Sequence, residues 1–235
     1  MSRNIIASFV CYWMLVAASV FGQTNPINLF EKKNLADWDF HVFDIRDTPQ
    51  VNVKVEDVFS FAEDGRLLST GLPFGYLATK ESYKNFKLAV EWRWSGWRWP
   101  AGIEATNSGI FLKITDMPSD SFLPKSIEVQ LQNRNAGDMW AFHGRTLTEP
   151  GNRIVNRENS AIGRFMGVQK MLMAENDPGL WNSMEILCTG SLIVVTVNGK
   201  IVNWTTGAEP IEGRIGFQSE GGPIEFRNAV LTVLP

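Results

Sequence analysis

Two residue types that carry most metal and nucleophile chemistry are scarce in this chain. It has 2 cysteines and 2 histidines among 235 residues, with no His-x-x-x-His or Cys-x-x-Cys spacing, so a zinc site finds no support. It also lacks the Gly-x-Ser-x-Gly elbow of serine hydrolases and the glycine-rich loops that cradle phosphate. A hard cation such as calcium stays open, because the loop carboxylates and carbonyls that bind it leave little pattern.

A charge excess and a helical repeat are missing as well. The net charge of -3 provides no basic surface for nucleic acid. There is no amphipathic helix longer than two turns, no internal repeat and no low-complexity tract, while the hydrophobic share of 44% is that of a globular protein with a sizeable core. These features favour an all-β protein, and the length fits one sandwich domain.

The one long apolar run lies at the N-terminus. Arg3 supplies a positive end, Ile5 to Val20 are almost all apolar, and a Val-Phe-Gly segment precedes Gln23. This pattern predicts a signal peptide over residues 1–22 and a single domain over residues 23–235. The run of about 16 residues falls short of the roughly 20 that span a bilayer. We therefore expect export to the periplasm or the extracellular space, with no stable membrane span after cleavage.

Cysteine usage adds a second constraint. Cys11 leaves with the predicted signal peptide, so Cys188 stands alone in the mature chain and no intramolecular disulfide can form. Cys188 lies in an alternating apolar run and is predicted to be a buried thiol. The sequence contains no signal that sets an oligomeric state.

Three successive strand patterns organise the chain. Segments Phe86 to Trp94, Ser108 to Thr115 and Ser126 to Gln132 alternate with a period of two, as strands with one buried face do. Their other faces carry Glu91, Arg93, Phe111, Lys113, Glu128 and Gln130. If the three strands lie together in one sheet, these side chains form a working surface for a polar, hydroxyl-rich ligand.

The rest of the chain supplies further strands and turns. Asp64-Gly65 and Asn198-Gly199 between apolar runs predict two hairpins. Residues 71–80 and 134–178 are predicted to be loops, and the valines at 51, 53 and 55 are expected to form an exposed edge strand. About a dozen short strands predict two antiparallel sheets packed face to face in a jelly roll or related β-sandwich.

The segment after the first organising strand is unusually aromatic. Residues 95–107 contain Trp97 and Trp99, and an indole offers a broad apolar face that stacks on the C–H face of a sugar. Trp97 is expected either to line the ligand surface or to belong to a hydrophobic lid that seals one end of the sandwich.

Carboxylates are the best candidates for chemistry. Ordinary glycoside hydrolysis needs two of them about 5 to 10 Å apart, and sandwich glucanases often place both on one strand. Here that strand carries Glu128 but an amide, Gln130, at the next outward position. Either a neighbouring strand supplies the partner, with Glu91 the leading choice, or the substrate is already activated. The alternative for Glu128 is a solvated residue on an exposed sheet face.

A set of short motifs in fixed order resembles a known family. These are Asn28-Leu29-Phe30, Leu35-Ala36-Asp37-Trp38, Gly75-Tyr76-Leu77-Ala78-Thr79, Asn107-Ser108-Gly109-Ile110-Phe111-Leu112, Ile127-Glu128-Val129-Gln130, Trp181-Asn182, Val197-Asn198-Gly199-Lys200, and Gly216-Phe217-Gln218 with Phe226-Arg227-Asn228. The resemblance is to the 3-keto-disaccharide hydrolase domain family, long catalogued as a domain of unknown function. In that family an Asp-His-Gly often follows the glutamine, whereas this chain has Ser219-Glu220-Gly221.

The resemblance implies a concanavalin A-like jelly roll of the lectin and glucanase superfamily, acting on carbohydrate. It also implies chemistry on glycosides oxidised at C3, whose ketone acidifies the C2 proton so that the C1 substituent departs by elimination and water adds back. Glu128 or His143 is then the expected base. Lys113 or a divalent cation such as calcium would hold the enolate. Gln130 and Asn107 would orient hydroxyls, while Glu91, Phe111 and Trp97 would contact substrate.

Three functions remain in competition at this level. The favoured one is an enzyme, a hydrolase or lyase that acts on 3-keto-glycosides. A lectin-like carbohydrate-binding module would bind sugar on the same face without a titrating group. A structural cell-surface domain would neither bind sugar nor turn it over.

Overall fold

The alternating segments of the sequence form strands throughout the computed structural model, which describes residues 25–43, 52–95, 106–116, 123–160 and 162–235. The strands are β1 (Ile27–Asn28), β2 (Trp38–Phe43), β3 (Phe59–Phe61), β4 (Leu67–Ser69), β5 (Phe74–Thr79), β6 (Phe86–Trp94), β7 (Gly109–Asp116), β8 (Lys125–Gln130), β9 (Met139–Ala141), β10 (Ile154–Asn159), β11 (Gly163–Val168), β12 (Asn182–Thr189), β13 (Leu192–Val197), β14 (Lys200–Thr205), β15 (Arg214–Ser219) and β16 (Ile224–Val233). A 3₁₀ turn at Leu35–Asp37 and a four-residue helix, α1 (Val55–Val58), are the helical elements of these residues.

The strands form two antiparallel sheets. The first sheet has the order β14-β13-β12-β6-β16-β4-β3, with β1 beside β16, and the second has the order β10-β11-β9-β8-β7-β15-β5-β2. Their apolar inner faces meet in one core, to which Leu88 of the first sheet and Val129 and Phe217 of the second contribute, each 0% exposed. The predicted all-β, two-sheet sandwich is confirmed.

The organising strands are correct as elements but not as neighbours. Strand β6 pairs with β12 and β16 in the first sheet, whereas β7 and β8 pair with each other in the second. The condition set for a shared working surface, that all three strands lie in one sheet, is therefore not met. Glu91 lies on the outer face of the first sheet, where its carboxylate is ion-paired with Arg227, so the core separates it from Glu128. Local alternation sets which face of a strand is buried, but it carries no information on which strand pairs with which.

Two predicted loops contain strands. Residues 71–80 hold β5, whose Gly75 is required because a Cβ there would lie 2.4 Å from the carbonyl oxygen of His41 on β2. Residues 134–178 hold β9, β10 and β11, at one end of the second sheet. The edge strand β10 is exposed over most of its length, and β9 spans only three residues, so the period-two signal of this region is weak or short.

The predicted edge strand around the valines is also wrong over its described part. Residues Val55–Val58 form α1, in which the Asp57 carboxylate accepts a hydrogen bond from the Lys54 backbone N–H at 2.9 Å. This contact satisfies one of the free donors at the start of the helix. It overrides the weak strand preference of two β-branched residues.

A β-bulge in β7 reverses the expected orientation of Lys113. The backbone of Lys113 has a φ of +55°, and the pairing registers of β7 with both neighbours shift at this point. As a result Ile114 packs on the outer face of the sheet with Phe111. Lys113 is 0% exposed, and its ammonium donates to the Ile211 carbonyl at 2.9 Å. The expectation that Lys113 lies on the working surface is wrong, because a bulge exchanges the faces of the residues that follow it.

Other local predictions hold. Both predicted hairpins form, β3 with β4 and β13 with β14. Cys188 is a free, buried thiol, and burial raises its pKa to about 12. No helix of the described residues is long and apolar enough to cross a membrane. The predicted signal peptide, residues 1–22, lies outside them.

The buried position of Lys113 is testable by amine acylation of the native protein. We expect the Lys113 amine to stay unmodified, since it is enclosed and already donates to a carbonyl, while exposed Lys87 and Lys200 react. Mass spectrometry of digested samples, with a denatured sample as control, measures the modified fraction. Acylation of Lys113 at the rate of Lys87 would contradict the bulge.

Candidate functional site

The outer face of the second sheet carries a line of buried polar residues on β8. Ser126, Glu128 and Gln130 alternate with inward-facing Ile127 and Val129, and they are 0%, 3% and 7% exposed. The alternative that Glu128 is a solvated surface residue is therefore wrong. In register with Glu128 lie Phe111 on β7 and Trp140 on β9.

A glycine makes room for the Glu128 side chain. A Cβ at Gly109 of β7 would lie 2.1 Å from Glu128 Oε1 and 2.6 Å from its Cγ, so the carboxyl group occupies the space that a side chain at position 109 would need. The carboxyl thus leans from β8 across β7, toward β15 on the far side of β7.

A second carboxyl group, Glu220, lies near enough for its charge to raise the pKa of Glu128. Glu220 follows the last residue of β15, and its Oε2 accepts a hydrogen bond from Asn107 Nδ2 at 2.7 Å. The Gln218 side chain also hydrogen-bonds to Glu220. The second carboxylate that glycoside hydrolysis needs is therefore supplied by Glu220, in the turn after β15. Glu91, the residue predicted for this role, lies in the other sheet.

Burial sets the protonation of the two carboxyls. Burial raises the pKa of Glu128 well above its ordinary value, and the charge of Glu220 raises it further. Burial raises the pKa of Glu220 to about 7, while the hydrogen bond from Gln218 acts in the opposite direction. Two neighbouring carboxyls cannot both ionise cheaply. Above a pH of about 7, where Glu220 ionises, the pair therefore holds one proton, favoured on Glu128, and one charge, favoured on Glu220.

Several buried polar atoms on this face have no hydrogen-bond partner within the described chain. Three belong to the carboxyl pair and its neighbours, namely Asn107 Oδ1, Glu128 Oε1 and Gln218 Oε1. The fourth, Tyr76 Oη, is on the neighbouring strand β5, where the charges of Arg214 and Asp116 act on it. Gln218 and Tyr76 are direct neighbours on β15 and β5. An unsatisfied buried polar atom costs about 1–3 kcal/mol, so their grouping fits a ligand that brings hydroxyl groups.

The remaining predicted residues take other positions. Phe111 is fully buried beneath the face, edge-on to Tyr76 with ring centroids 5.4 Å apart, so it offers no surface to a ligand. The amide oxygen of Gln130 accepts from the backbone N–H groups of Leu131 and Gln132. Trp97 lies outside the described residues.

His143 lies toward the opposite end of β8 from the carboxyl pair. The residue before it, Phe142, donates its backbone N–H to the carbonyl of Ser126, near the start of the strand, and the His143 ring contacts the Leu123 carbonyl oxygen at 3.0 Å. Glu220 instead lies beside Asn107, ahead of β7, whose first residue pairs with the last residue of β8.

Comparisons with known proteins identify the family of the chain and its fold. Residues 25–232 match the family described as the 3-keto-alpha-glucoside-1,2-lyase-like domain. The chain belongs to this family. Among curated proteins none matches it significantly.

Solved structures share the lyase-like domain's fold at low sequence identity. A presumed glycosyl hydrolase from Parabacteroides distasonis has a TM-score of 0.58 at 22% identity, over 90% of this chain and 100% of that one. A β-glucanase from Bacillus licheniformis has a TM-score of 0.54 at 12% identity, over 91% and 99%. A carbohydrate-binding module from Bacillus subtilis has 0.52 at 10%, over 74% and 91%. These likenesses confirm the predicted concanavalin A-like jelly roll.

Sequence reasoning missed Glu220, Tyr76 and Trp140 as parts of the lyase-like domain's candidate site. Tyr76 was hidden in a predicted loop, and Trp140 lay in a segment without period. For Glu220 a signal did exist: it stands where the family often has the histidine of Asp-His-Gly, directly after Gln218-Ser219.

A metal site is less clearly formed. Among the described residues, no group of three or more histidine, cysteine, aspartate or glutamate side chains is placed to hold a metal ion. The carboxyl pair and the free amide oxygens of Asn107 and Gln218 are nevertheless hard oxygen donors of the kind that calcium prefers.

The raised pKa of Glu220 predicts a pH-dependent effect on stability. Its folded value of about 7 lies above the ordinary 4.5, so the folded state binds more protons between these values and loses stability as the pH rises through that window. Glu220→Gln removes this loss. We expect the Tm of the variant, relative to the parent, to be higher at about pH 8 than at about pH 5.

Thermal unfolding at both pH values measures the effect, with Glu212→Gln as the control at an exposed position. A Tm difference for Glu220→Gln that is the same at both pH values would contradict the raised pKa.

Proposed function

We propose that this lyase-like domain acts on glycosides already oxidised at C3, with the Glu128 and Glu220 carboxyl pair as acid and base. The observation that carries the proposal is a buried carboxyl, Glu128, near a second carboxyl, Glu220, that accepts a hydrogen bond from Asn107, on a face with unsatisfied polar atoms. The pKa of Glu128 is raised well above its ordinary value by burial, and that of Glu220 is raised to about 7. Carboxyl groups whose environments push their pKa values apart are the usual acid and base of such sites. The family match supports the oxidised sugar as the substrate class.

The reaction balances with these two groups. The Glu220 carboxylate takes the C2 proton, the electrons form the C1–C2 double bond, and the C1–O bond breaks as Glu128 gives its proton to the departing oxygen. Glu128, now ionised, then takes a proton from water as the water adds to C1, and Glu220 returns its proton to C2. Each group ends in its starting state, and an oxocarbenium ion is not needed.

The developing enolate needs hydrogen-bond donors. Lys113, which the sequence predicted to hold the enolate, is instead buried in the core. The side-chain amides of Asn107 and Gln218 lie beside Glu220 and are the candidate donors. If a divalent cation binds, the oxygens of the same two residues and of the carboxyl pair would hold it, and it would supply positive charge. Turnover measured with and without a chelator tests whether a divalent cation takes part.

The second carboxyl also favours a second candidate, direct hydrolysis of an unoxidised glycoside. That reaction needs two carboxyl groups flanking the scissile bond, and Glu220 supplies the one that β8 lacks. The two candidates differ in substrate. Under the proposed function, 4-nitrophenol is released from 4-nitrophenyl 3-keto-glucoside and not from the unoxidised 4-nitrophenyl glucoside. Release of 4-nitrophenol from the unoxidised glucoside as well supports direct hydrolysis.

Glu220→Gln should lower turnover of the 4-nitrophenyl 3-keto-glucoside on the order of a hundredfold or more, the usual scale of a general base. Glu128→Gln should have an effect of the same order on methyl 3-keto-glucoside, because the methoxide needs a proton to depart whereas 4-nitrophenolate does not. Glu91→Gln is the matched control, because it removes a half-buried glutamate of the opposite sheet and should leave turnover within about twofold. Initial rates and Tm are measured on the same samples.

Full activity of a folded Glu128→Gln sample on methyl 3-keto-glucoside would remove Glu128 from the mechanism. Binding of sugar without release from either substrate by the parent would indicate a lectin-like module.

The pH profile provides a separate test. We expect kcat/KM to rise with a pKa of about 7 as Glu220 ionises, and to fall at higher pH as Glu128 loses its proton. Because the rising limb belongs to Glu220, it should vanish in the residual activity of Glu220→Gln. A profile that is flat in the parent from about pH 5 to 9 would exclude the pair as acid and base.

A further inference from the structure

The two sides of Glu128 differ in chemistry across the second sheet. Toward β7 and β15 lie the polar groups of Asn107, Gln218 and Glu220. Toward β9 and β11 lies an aromatic shelf, which we define as Trp140, Phe142 and Phe165. Phe165 packs against both other rings, with centroids 5.5 Å from Trp140 and 5.6 Å from Phe142.

The Trp140 indole is fixed on the sheet. Trp140 lies directly opposite Glu128 on β8 and opposite Gly167 on β11. A Cβ at Gly167 would lie 2.5 Å and 2.7 Å from two atoms of its six-membered ring, so the indole occupies the space that a side chain there would take. One side of the ring is thereby held against β11.

Trp140 nevertheless remains partly exposed, whereas Phe111 on the other side of Glu128 is 0% exposed. Of the two aromatic residues that flank Glu128 on the neighbouring strands, Trp140 is therefore the one with surface accessible to a ligand. A partly exposed indole in strand register with Glu128 is suited to stacking on a ligand ring, since such a face binds aryl rings and the C–H faces of sugars.

We propose that Trp140 and the aromatic shelf form the subsite for the leaving group, which selects glycosides whose leaving group is itself a ring, either a pyranose or an aryl group. The inference rests on the proposed function, because the position of Glu128 between the two regions makes it the acid for the departing oxygen. The oxidised sugar then lies over β7 and β15, where the polar atoms are, and the leaving group lies over β9 and β11.

The test compares three 3-keto-glucosides, with methyl, 4-nitrophenyl and glucosyl leaving groups, on the parent and on Trp140→Ala. We expect the parent to favour both ring-bearing substrates over the methyl glycoside. Trp140→Ala should raise KM about tenfold for them, equivalent to about 1.4 kcal/mol, with little change for the methyl glycoside. Trp140→Phe should recover part of the loss. An effect confined to the nitrophenyl or to the glucosyl compound identifies which ring the shelf takes.

Trp204→Ala is the matched control, as it removes another partly exposed tryptophan, from β14 of the opposite sheet. Tm is measured for each variant. If Trp140→Ala does not fold, the comparison of the three substrates is made on Trp140→Phe alone. Equal effects of Trp140→Ala on all three substrates, or no preference for rings in the parent, overturn the subsite.

Failure of the proposed function is recognised separately. If the parent turns over none of the three compounds, calorimetric Kd values replace KM. A ring preference in binding that Trp140→Ala abolishes then upholds the subsite without the reaction. Turnover with a ring preference that Trp140→Ala leaves intact upholds the reaction without the subsite.

Discussion

The candidate site on the outer face of the second sheet depends on one constraint, the removal of two carboxyl groups from water. Glu128 is 3% exposed, and an ionised carboxylate in that position would lose most of its hydration. The fold resolves this by leaving the negative charge of the pair on Glu220, to which Asn107 and Gln218 donate hydrogen bonds. The protonated Glu128 is then an acid at neutral pH, a state that an exposed glutamate does not have.

The antiparallel order of β8, β7 and β15 brings these groups together. Residues 107, 128 and 218 are distant in sequence, yet their strands are neighbours in the second sheet. Gly109 contributes by having no side chain, which leaves room for the carboxyl of Glu128. Gly167 plays the corresponding part for the indole of Trp140 on the other side. The face is thus shaped as much by missing side chains as by those present.

Local alternation predicted much of the sandwich. The period-two patterns of β6, β7 and β8 and the Asp-Gly and Asn-Gly turns correspond to observed elements, and the outward direction of Glu128 is confirmed. Prediction failed where a local pattern is interrupted. The bulge at Lys113 exchanged inner and outer residues, and β5 and β9 to β11 carry glycines or lie near a sheet edge, where burial imposes no strict alternation.

The sequence by itself therefore determined the class of the fold, the buried face of each regular strand and the first catalytic candidate. These depend on residues close together in the chain, whose periodicity follows from burial of one face. Strand pairing decided the rest. It separated Glu91 from Glu128 by placing β6 in the other sheet. It also brought Glu220 to Asn107, ahead of β7, from 113 positions further along the chain. Such long-range pairing depends on the free energy of the whole core and leaves no local pattern, so only the tertiary structure shows the carboxyl pair.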